Sequence, residues 1–240
     1  MSGSQYIALS GLRARVDELD RLAADIANVG TAGYKGEREA RASATRDTFA
    51  DELQTAIDTT FGGRRLDTRA GAIASTGRSL DVAVEGPGYF VISTASGERY
   101  TRNGHFGLSA SRQLIAEDGS PVQGEGGQPI TVGEGEVRIE QDGSVWAGTT
   151  EAGRLAVVEF GDPTTLTQDN ASRLRAEGQA ATPSTSTFIR SGSLEQSNVS
   201  VSDRLAELTT VSRGFEALQK AITMLMNDVD GRAIDNLGRR

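Results

Sequence analysis

The sequence has 240 residues, a formal net charge of -8 and no cysteine. An acidic chain without a basic patch is a poor partner for nucleic acids or anionic membranes. The absence of cysteine excludes disulfides, zinc–thiolate sites and thiol catalysis. The 29 glycines are well above the usual share, which favours tight turns between short strands.

The N-terminal segment is predicted to form a helix from about Ser4 to Asn28. Gly30 and Gly33 follow and should end it. Its apolar residues recur at alternating spacings of three and four, which is the heptad pattern of helices that pack on other helices. These residues are Leu9, Leu12, Val16, Leu19, Ala23 and Ile26.

The C-terminal segment shows the same pattern after a capping serine, either Ser200 or Ser202. Asp230-Gly231 is expected to weaken the helix near its end. The apolar residues of the repeat are Leu208, Val211, Phe215, Leu218, Ile222, Leu225 and Val229.

Each terminal helix needs an apolar partner, because an isolated helix of this length is only marginally stable in water. One alternative is that each helix packs on its own domain. The other is that the two helices pair with each other and with neighbouring chains. If they pair within one chain they should run antiparallel, with Val16 level with Val211.

The middle of the chain, from about Gly71 to Thr187, is predicted to be antiparallel β structure. Alternating strands are expected in two hairpins and one further segment, which suggests a small sandwich or partial barrel. Residues 34–70 are harder to interpret, with some helical rhythm between residues 48 and 60. The predicted strands are Tyr89–Thr94 with Arg99–Arg102, Val137–Glu140 with Ser144–Ala147, and Arg154–Phe160.

No pattern of residues predicts catalysis. His105 is the only histidine, and a structural role is expected for it. The sequence has no nucleophile elbow, P-loop or calcium loop. The 33 acidic residues leave a glycosidase-type carboxylate pair open by spacing alone. We therefore expect a structural protein, not an enzyme, with no catalytic residue, cofactor or metal.

No stretch approaches the length of a membrane span. Asp17, Glu18, Asp20 and Asp25 interrupt the N-terminal segment, so it lacks the continuous apolar core of a signal peptide. The chain either stays in the cytoplasm or leaves it by a route without a cleaved signal.

Six segments, in order along the chain, carry a resemblance to a known family: Ala27–Lys35, Leu80–Val84, Gly88–Phe90, Tyr100–Phe106, Gly192–Val199 and Arg213–Glu216. They resemble segments of flagellar axial proteins, and the chain is similar to the flagellar basal-body rod protein family. Within that family, residues 124–127 and 129–132 resemble the proximal-rod type. One departure is Ala24-Asp25-Ile26, where the family usually has Asn-Asn-Leu.

The resemblance implies an α+β fold. Terminal helices, residues 1–34 and 192–240, would form a coiled-coil inner domain. Residues 35–70 would be a connector, and residues 71–191 a mostly antiparallel β outer domain. The implied function is a structural subunit of the proximal rod that transmits torque. A distal-rod or hook-type subunit, or a β-domain binding module with a dimerising coiled coil, remains an alternative.

The resemblance also implies the surroundings of the chain. Its partners would be copies of itself, homologous rod proteins and the flagellar type III export apparatus, without nucleic acid or membrane insertion. It would lie in the basal-body rod in the periplasmic space, exported without a cleaved signal peptide. The residues expected at the assembly interface are Leu9, Leu12, Val16, Leu19, Ile26, Asn28, Thr31, Gly33, Leu208, Val211, Phe215, Leu218, Ile222 and Leu225.

Overall fold

The computed structural model describes residues 3–39 and 64–237. The chain divides into two compact units, one with the terminal helices and one with residues 28–39 and 64–199. Residues 28–34 and 192–199, which the sequence analysis grouped with the helices, cluster with the strands. The predicted helical rhythm of residues 48–60 lies outside the described residues.

Two long helices make up the described part of the helical unit. Helix α1 spans Gly3–Ala27 and helix α2 spans Val201–Leu237. Ser200 caps α2, because its hydroxyl accepts a hydrogen bond from the Asp203 amide at 3.4 Å. Helix α2 continues through Asp230-Gly231 to Leu237, so that dipeptide does not end it. Neither described helix combines the length and the apolar character needed to cross a membrane.

The two helices pack against each other in antiparallel orientation. A Cβ added at Gly11 would lie 3.6 Å from Leu218 Cδ2. Near the other end, Arg21 reaches Glu207. Chain positions therefore rise along α1 while they fall along α2, and Val16 lies level with the turn around Val211. The predicted antiparallel register is confirmed.

The second unit, which we call the β unit, is built from short strands whose pairings are all antiparallel among the described residues. This confirms the α+β class with mostly antiparallel sheets. The strands are β1 (Glu37–Glu39), β2 (Arg64–Leu66), β3 (Ile73–Ser75), β4 (Val82–Glu85), β5 (Tyr89–Thr94), β6 (Gly97–Thr101), β7 (Gly107–Leu108), β8 (Leu114–Ile115), β9 (Val137–Ile139), β10 (Ser144–Ala147), β11 (Thr150–Arg154), β12 (Val157–Glu159), β13 (Thr167–Gln168), β14 (Leu174–Arg175), β15 (Thr182–Pro183), β16 (Phe188–Ser191) and β17 (Ser193–Glu195).

The largest sheet has six strands in the order β13-β14-β6-β5-β12-β15, and a second sheet has the order β11-β10-β9. Four two-stranded ribbons complete the described strands: β1-β2, β3-β17, β4-β16 and β7-β8. Both predicted hairpins are present, β5 with β6 and β9 with β10. One short 3-10 turn, Pro163–Thr165, is capped by the Asp162 side chain.

Strand β5 separates two apolar cores, because successive side chains of a strand point to opposite faces. Phe90 and Ile92 lie in the larger core, where Phe90 packs edge-on against Phe106 with ring centroids 5.1 Å apart. Tyr89 and Val91 lie in the smaller core on the other face. The central strand is therefore buried on both sides, which fixes its register.

Candidate functional site

His105 has structural contacts in the loop before β7. Its Nδ1 lies 2.9 Å from the buried Asp81 carboxylate, and Arg78 contacts both side chains. Among residues 3–39 and 64–237, no group of histidine and acidic side chains is arranged to hold a metal ion. These contacts join the loop before β7 to the turn before β4.

Three deeply buried charges of the β unit lie where three of the segments singled out in the sequence meet. We call this set, Lys35, Arg102 and Glu195, the junction cluster. Lys35 Nζ lies 2.5 Å from Glu195 Oε1, and Arg102 Nη1 lies 3.3 Å from Glu195 Oε2. Each of these side chains is at most 5% exposed. One carboxylate therefore balances two buried cations from distant parts of the chain.

Main-chain groups add hydrogen bonds to the junction cluster. Lys35 Nζ donates to the Arg69 carbonyl at 2.7 Å, and the Gly71 amide donates to Glu195 Oε1 at 2.9 Å. Arg102 Nη2 donates to the Gly86 carbonyl at 2.6 Å. Buried charges are tolerated only when paired and hydrogen-bonded in this way.

The conformation and surroundings of Gly33 explain why the segment Ala27–Lys35 has a glycine at this position. Its φ is +68°, in the left-handed region, and an added Cβ would lie 2.3 Å from the carbonyl carbon of Arg102. Its amide also donates to the Glu195 carbonyl at 2.7 Å. Only glycine lets the backbone at position 33 approach the backbone of Arg102 this closely. Gly33 is therefore needed for packing within the chain.

The side-chain amide of Asn198, shortly before α2, bonds to the backbone on both sides of the segment 40–63. Its Oδ1 accepts from the Gly36 amide at 2.9 Å, and its Nδ2 donates to the carbonyls of Asp67 and Arg69. The chain that follows α1 is thus held against the chain that precedes α2.

Burial sets the electrostatics of this region. Desolvation lowers the pKa of Lys35, and the neighbouring Glu195 carboxylate opposes that shift. Desolvation raises the pKa of Tyr89, whose ring lies under the Arg102 guanidinium at 4.8 Å. Burial alone would raise the pKa of Asp67, but hydrogen bonds from Arg69 and the charge of Arg38 outweigh it, so that pKa is lowered.

The helix pair contains most of the residues that the sequence places at the assembly interface. On α2, Val211 is buried, whereas Leu208, Phe215 and Leu218 are half-buried. On α1, Leu12, Leu19 and Ile26 are half-buried, but Val16 is 42% exposed. The side chains of Leu9, Ile222 and Leu225 lie outside the described part of the chain.

The remaining interface candidates lie in the β unit. Asn28 and Thr31 are half-buried, and the Thr31 hydroxyl donates to Asn28 Oδ1 at 3.1 Å. Gly33 is buried against Arg102, as described above.

Sequence reasoning missed two features of the helix pair. Leu22, outside the heptad seam, is fully buried, and the charged Arg21 and Asp25 are also buried. The i, i+4 spacing of Arg21 and Asp25, together with the unusual Asp25, was the available signal. Large apolar side chains also stand out into solvent: Val201, Leu205 and Met224 are 40%, 49% and 70% exposed.

Comparison with known proteins decides the family. A family model for the flagellar hook protein FlgE/F/G D1 domain matches residues 83–147, and one for the flagellar basal body rod FlgEFG protein C-terminal region matches residues 190–232. The flagellar basal-body rod protein FlgF of Salmonella typhimurium is 33% identical, over 97% of this chain and 97% of the relative. This chain belongs to the flagellar basal-body rod protein family.

Other rod proteins align over nearly their full length. FlgF of Caulobacter vibrioides is 30% identical, over 100% of this chain and 99% of its own. FlgG of Bacillus subtilis is 31% identical, over 93% and 95%. The segments that form the junction cluster, and those that form the two helices, are thus parts of a rod-family chain.

Proposed function

We propose that this chain is a structural subunit of the proximal part of the bacterial flagellar rod. Its terminal helices would form a coiled-coil inner domain with those of neighbouring subunits, and its β unit would form the outer domain. The FlgF relatives support the proximal assignment. In the rod, many shared contacts between subunits would transmit torque.

One observation carries the assembly proposal. The two helices pair with each other, yet Val16 and Leu205 remain almost half exposed. Exposed apolar side chains beside a formed helix pair favour burial against further helices. Copies of this chain and homologous rod proteins are the proposed partners. The interface would include the seam residues of both helices, among them Leu9, Ile222 and Leu225.

The proposal also states how the chain is exported and where it assembles. The chain would pass through the flagellar type III export apparatus without a cleaved signal and assemble in the rod within the periplasmic space. It would act without catalysis or a cofactor. The paired contacts of His105 and the ionic contacts of the junction cluster support a purely structural role.

A polar substitution at Val16 tests the interface. Val16→Thr keeps the shape of the side chain and removes apolar surface, so α1 and α2 should still pair while assembly and swimming decline. Val16→Leu is the matched control, because it keeps the surface apolar. Swimming in soft agar and the helix content by circular dichroism are the two measurements. Normal swimming of the Val16→Thr strain would contradict the proposed interface.

The similarity to FlgG of Bacillus subtilis favours a second candidate, a distal-rod or hook-type subunit. Basal bodies purified from cells arrested before the distal rod is added would separate the two. A tagged proximal subunit should be present in these arrested particles. Its absence there, with presence in complete basal bodies, would assign the chain to the distal rod or hook.

A further inference from the structure

Four charged side chains form a closed ring between α1 and α2, which we call the helix ring. Asp25 Oδ2 lies 2.9 Å from Arg204 Nε, and Arg204 Nη1 lies 2.6 Å from Glu207 Oε2. Arg21 closes the ring, 3.4 Å from Glu207 Oε1 and 3.7 Å from Asp25 Oδ2. The signs of charge alternate around the ring, so each neighbouring pair is attractive. Two of the four pairs join the two helices.

The helix ring is buried on its Asp25 side. The Asp25 side chain is 1% exposed, that of Arg21 6% and that of Arg204 16%, whereas Glu207 reaches solvent at 39%. Removing charges from water is costly, and a buried ion pair stabilises a fold little more than well-packed apolar side chains of similar size would. Separating the partners of a buried ion pair costs much more, because it leaves an uncompensated buried charge that is strongly destabilising. The ring therefore destabilises misaligned pairings of α1 and α2 more than it stabilises the observed pairing.

The apolar seam by itself permits wrong arrangements. Its residues repeat every seven positions, so sliding α2 by one heptad, about 10.5 Å, again sets apolar residues against α1. The helix ring does not repeat. After such a slide Asp25 would face Val211 in place of Arg204, and Arg21 would face Gly214 in place of Glu207.

We propose that the helix ring is the register determinant of the helix pair, with Asp25 as its central residue. The apolar seam supplies the attraction between α1 and α2, and the ring selects one antiparallel alignment among those that the seam allows. A neutral residue such as asparagine at this position would not balance Arg204. The proposal concerns pairing within one chain and stands independently of the rod assignment.

Disulfide trapping in the full-length chain tests the proposal, because the chain has no cysteine of its own. Gly11→Cys with Leu218→Cys is the in-register reporter, since a Cβ at Gly11 lies 3.6 Å from Leu218 Cδ2. Gly11→Cys with Leu225→Cys reports the slide of one heptad that sets Asp25 against Val211, because residue 225 then takes the place of Leu218 opposite Gly11. A disulfide requires Cα atoms within about 7 Å, so each reporter responds to one alignment. The measured quantity is the ratio of in-register to shifted linkage after oxidation.

Asp25→Asn is the principal variant, and it should lower that ratio at least about tenfold while helix content by circular dichroism is retained. The fourfold variant Arg21→Glu/Asp25→Arg/Arg204→Asp/Glu207→Arg inverts every charge of the ring, keeps the signs alternating and should recover much of the ratio. Arg15→Ala is the control, because it removes a solvent-facing ion pair with Glu18 on α1. It should leave the ratio unchanged.

Three results would overturn the proposal. The first is no in-register linkage in the chain with an intact ring. The second is an unchanged ratio in the Asp25→Asn chain. The third is an equal fall of both linkages together with helix content, because the ring would then only hold the helices together without choosing their register.

Discussion

Replacing Glu195 with glutamine removes the only carboxylate of the junction cluster. The substitution keeps the size of the side chain and an oxygen that can still accept from the Gly71 amide. Lys35 and Arg102 would both lose the charge that lies 2.5 Å and 3.3 Å from them. The variant therefore isolates the charge of Glu195 from its shape.

The loss of stability expected for Glu195→Gln follows from the burial of the junction cluster. Breaking a buried ion pair by removing one partner costs about 3–5 kcal/mol. The retained hydrogen bond and the ability of Lys35 to lose its proton favour the lower end, about 3 kcal/mol. For a chain of this length, that corresponds to a fall in melting temperature of roughly 6–12 °C.

The assay can follow the β unit alone. Trp146 is the only tryptophan and lies in β10, so its fluorescence during heating reports on that unit. The matched control is Glu85→Gln, because Glu85 pairs with Arg190 where both side chains are well exposed. An exposed pair should contribute at most about 1 kcal/mol. Equal melting temperatures for the two variants would refute the argument from burial.

The pH dependence of stability gives a second test with the Glu195→Gln variant. Burial already lowers the pKa of Lys35 below 10.5, and the loss of Glu195 should lower it further. The folded variant would then release this proton at a lower pH than the unfolded chain. Its stability deficit should therefore shrink as the pH rises toward 10.5.

Three other substitutions give direct tests. Gly33→Ala should cost roughly 2–4 kcal/mol, because its φ of +68° and its contact with Arg102 exclude a side chain, whereas Gly30→Ala meets nothing within 4 Å and should melt like the natural chain. The lowered pKa of Asp67 stabilises the fold above about pH 4 and this contribution is lost as the pH falls through the folded pKa, so melts in acid should decline less steeply for Asp67→Asn. His105→Ala should leave swimming intact, and complete loss of swimming at a normal protein level would contradict its structural role.

Local patterns predicted the local structure well. Strands Tyr89–Thr94 and Ser144–Ala147 have the bounds expected from alternation and neighbouring turns. The predicted strand Arg154–Phe160 was wrong in part, because Arg154 ends β11 and Val157 begins β12. Between them, the Leu155 amide donates to the Gly143 carbonyl, a contact that no local pattern reveals.

The contacts of the site could not be derived from spacing alone. Lys35 and Glu195 are 160 positions apart, and nothing in the local sequence says that their charges meet. Equal rise along two antiparallel helices gave their register, but the heptad pattern did not reveal that Leu22 and Asp25 are buried while Val16 is half exposed. A single sequence gives the period of a helix more reliably than the face that it buries, because charged residues can be buried in pairs.

The placement of the motif residues changes the interpretation of the assembly interface. Gly33, Lys35 and Glu195 are buried inside one chain, and Thr31 is bonded to Asn28. A residue whose contacts are already satisfied within its own subunit has little left to offer a neighbour. The motifs are thus better explained as the means of fixing the chain where it enters and leaves the helices. In the proposed assembly, recognition between subunits would then fall to side chains such as Val16 and Leu205, which are exposed.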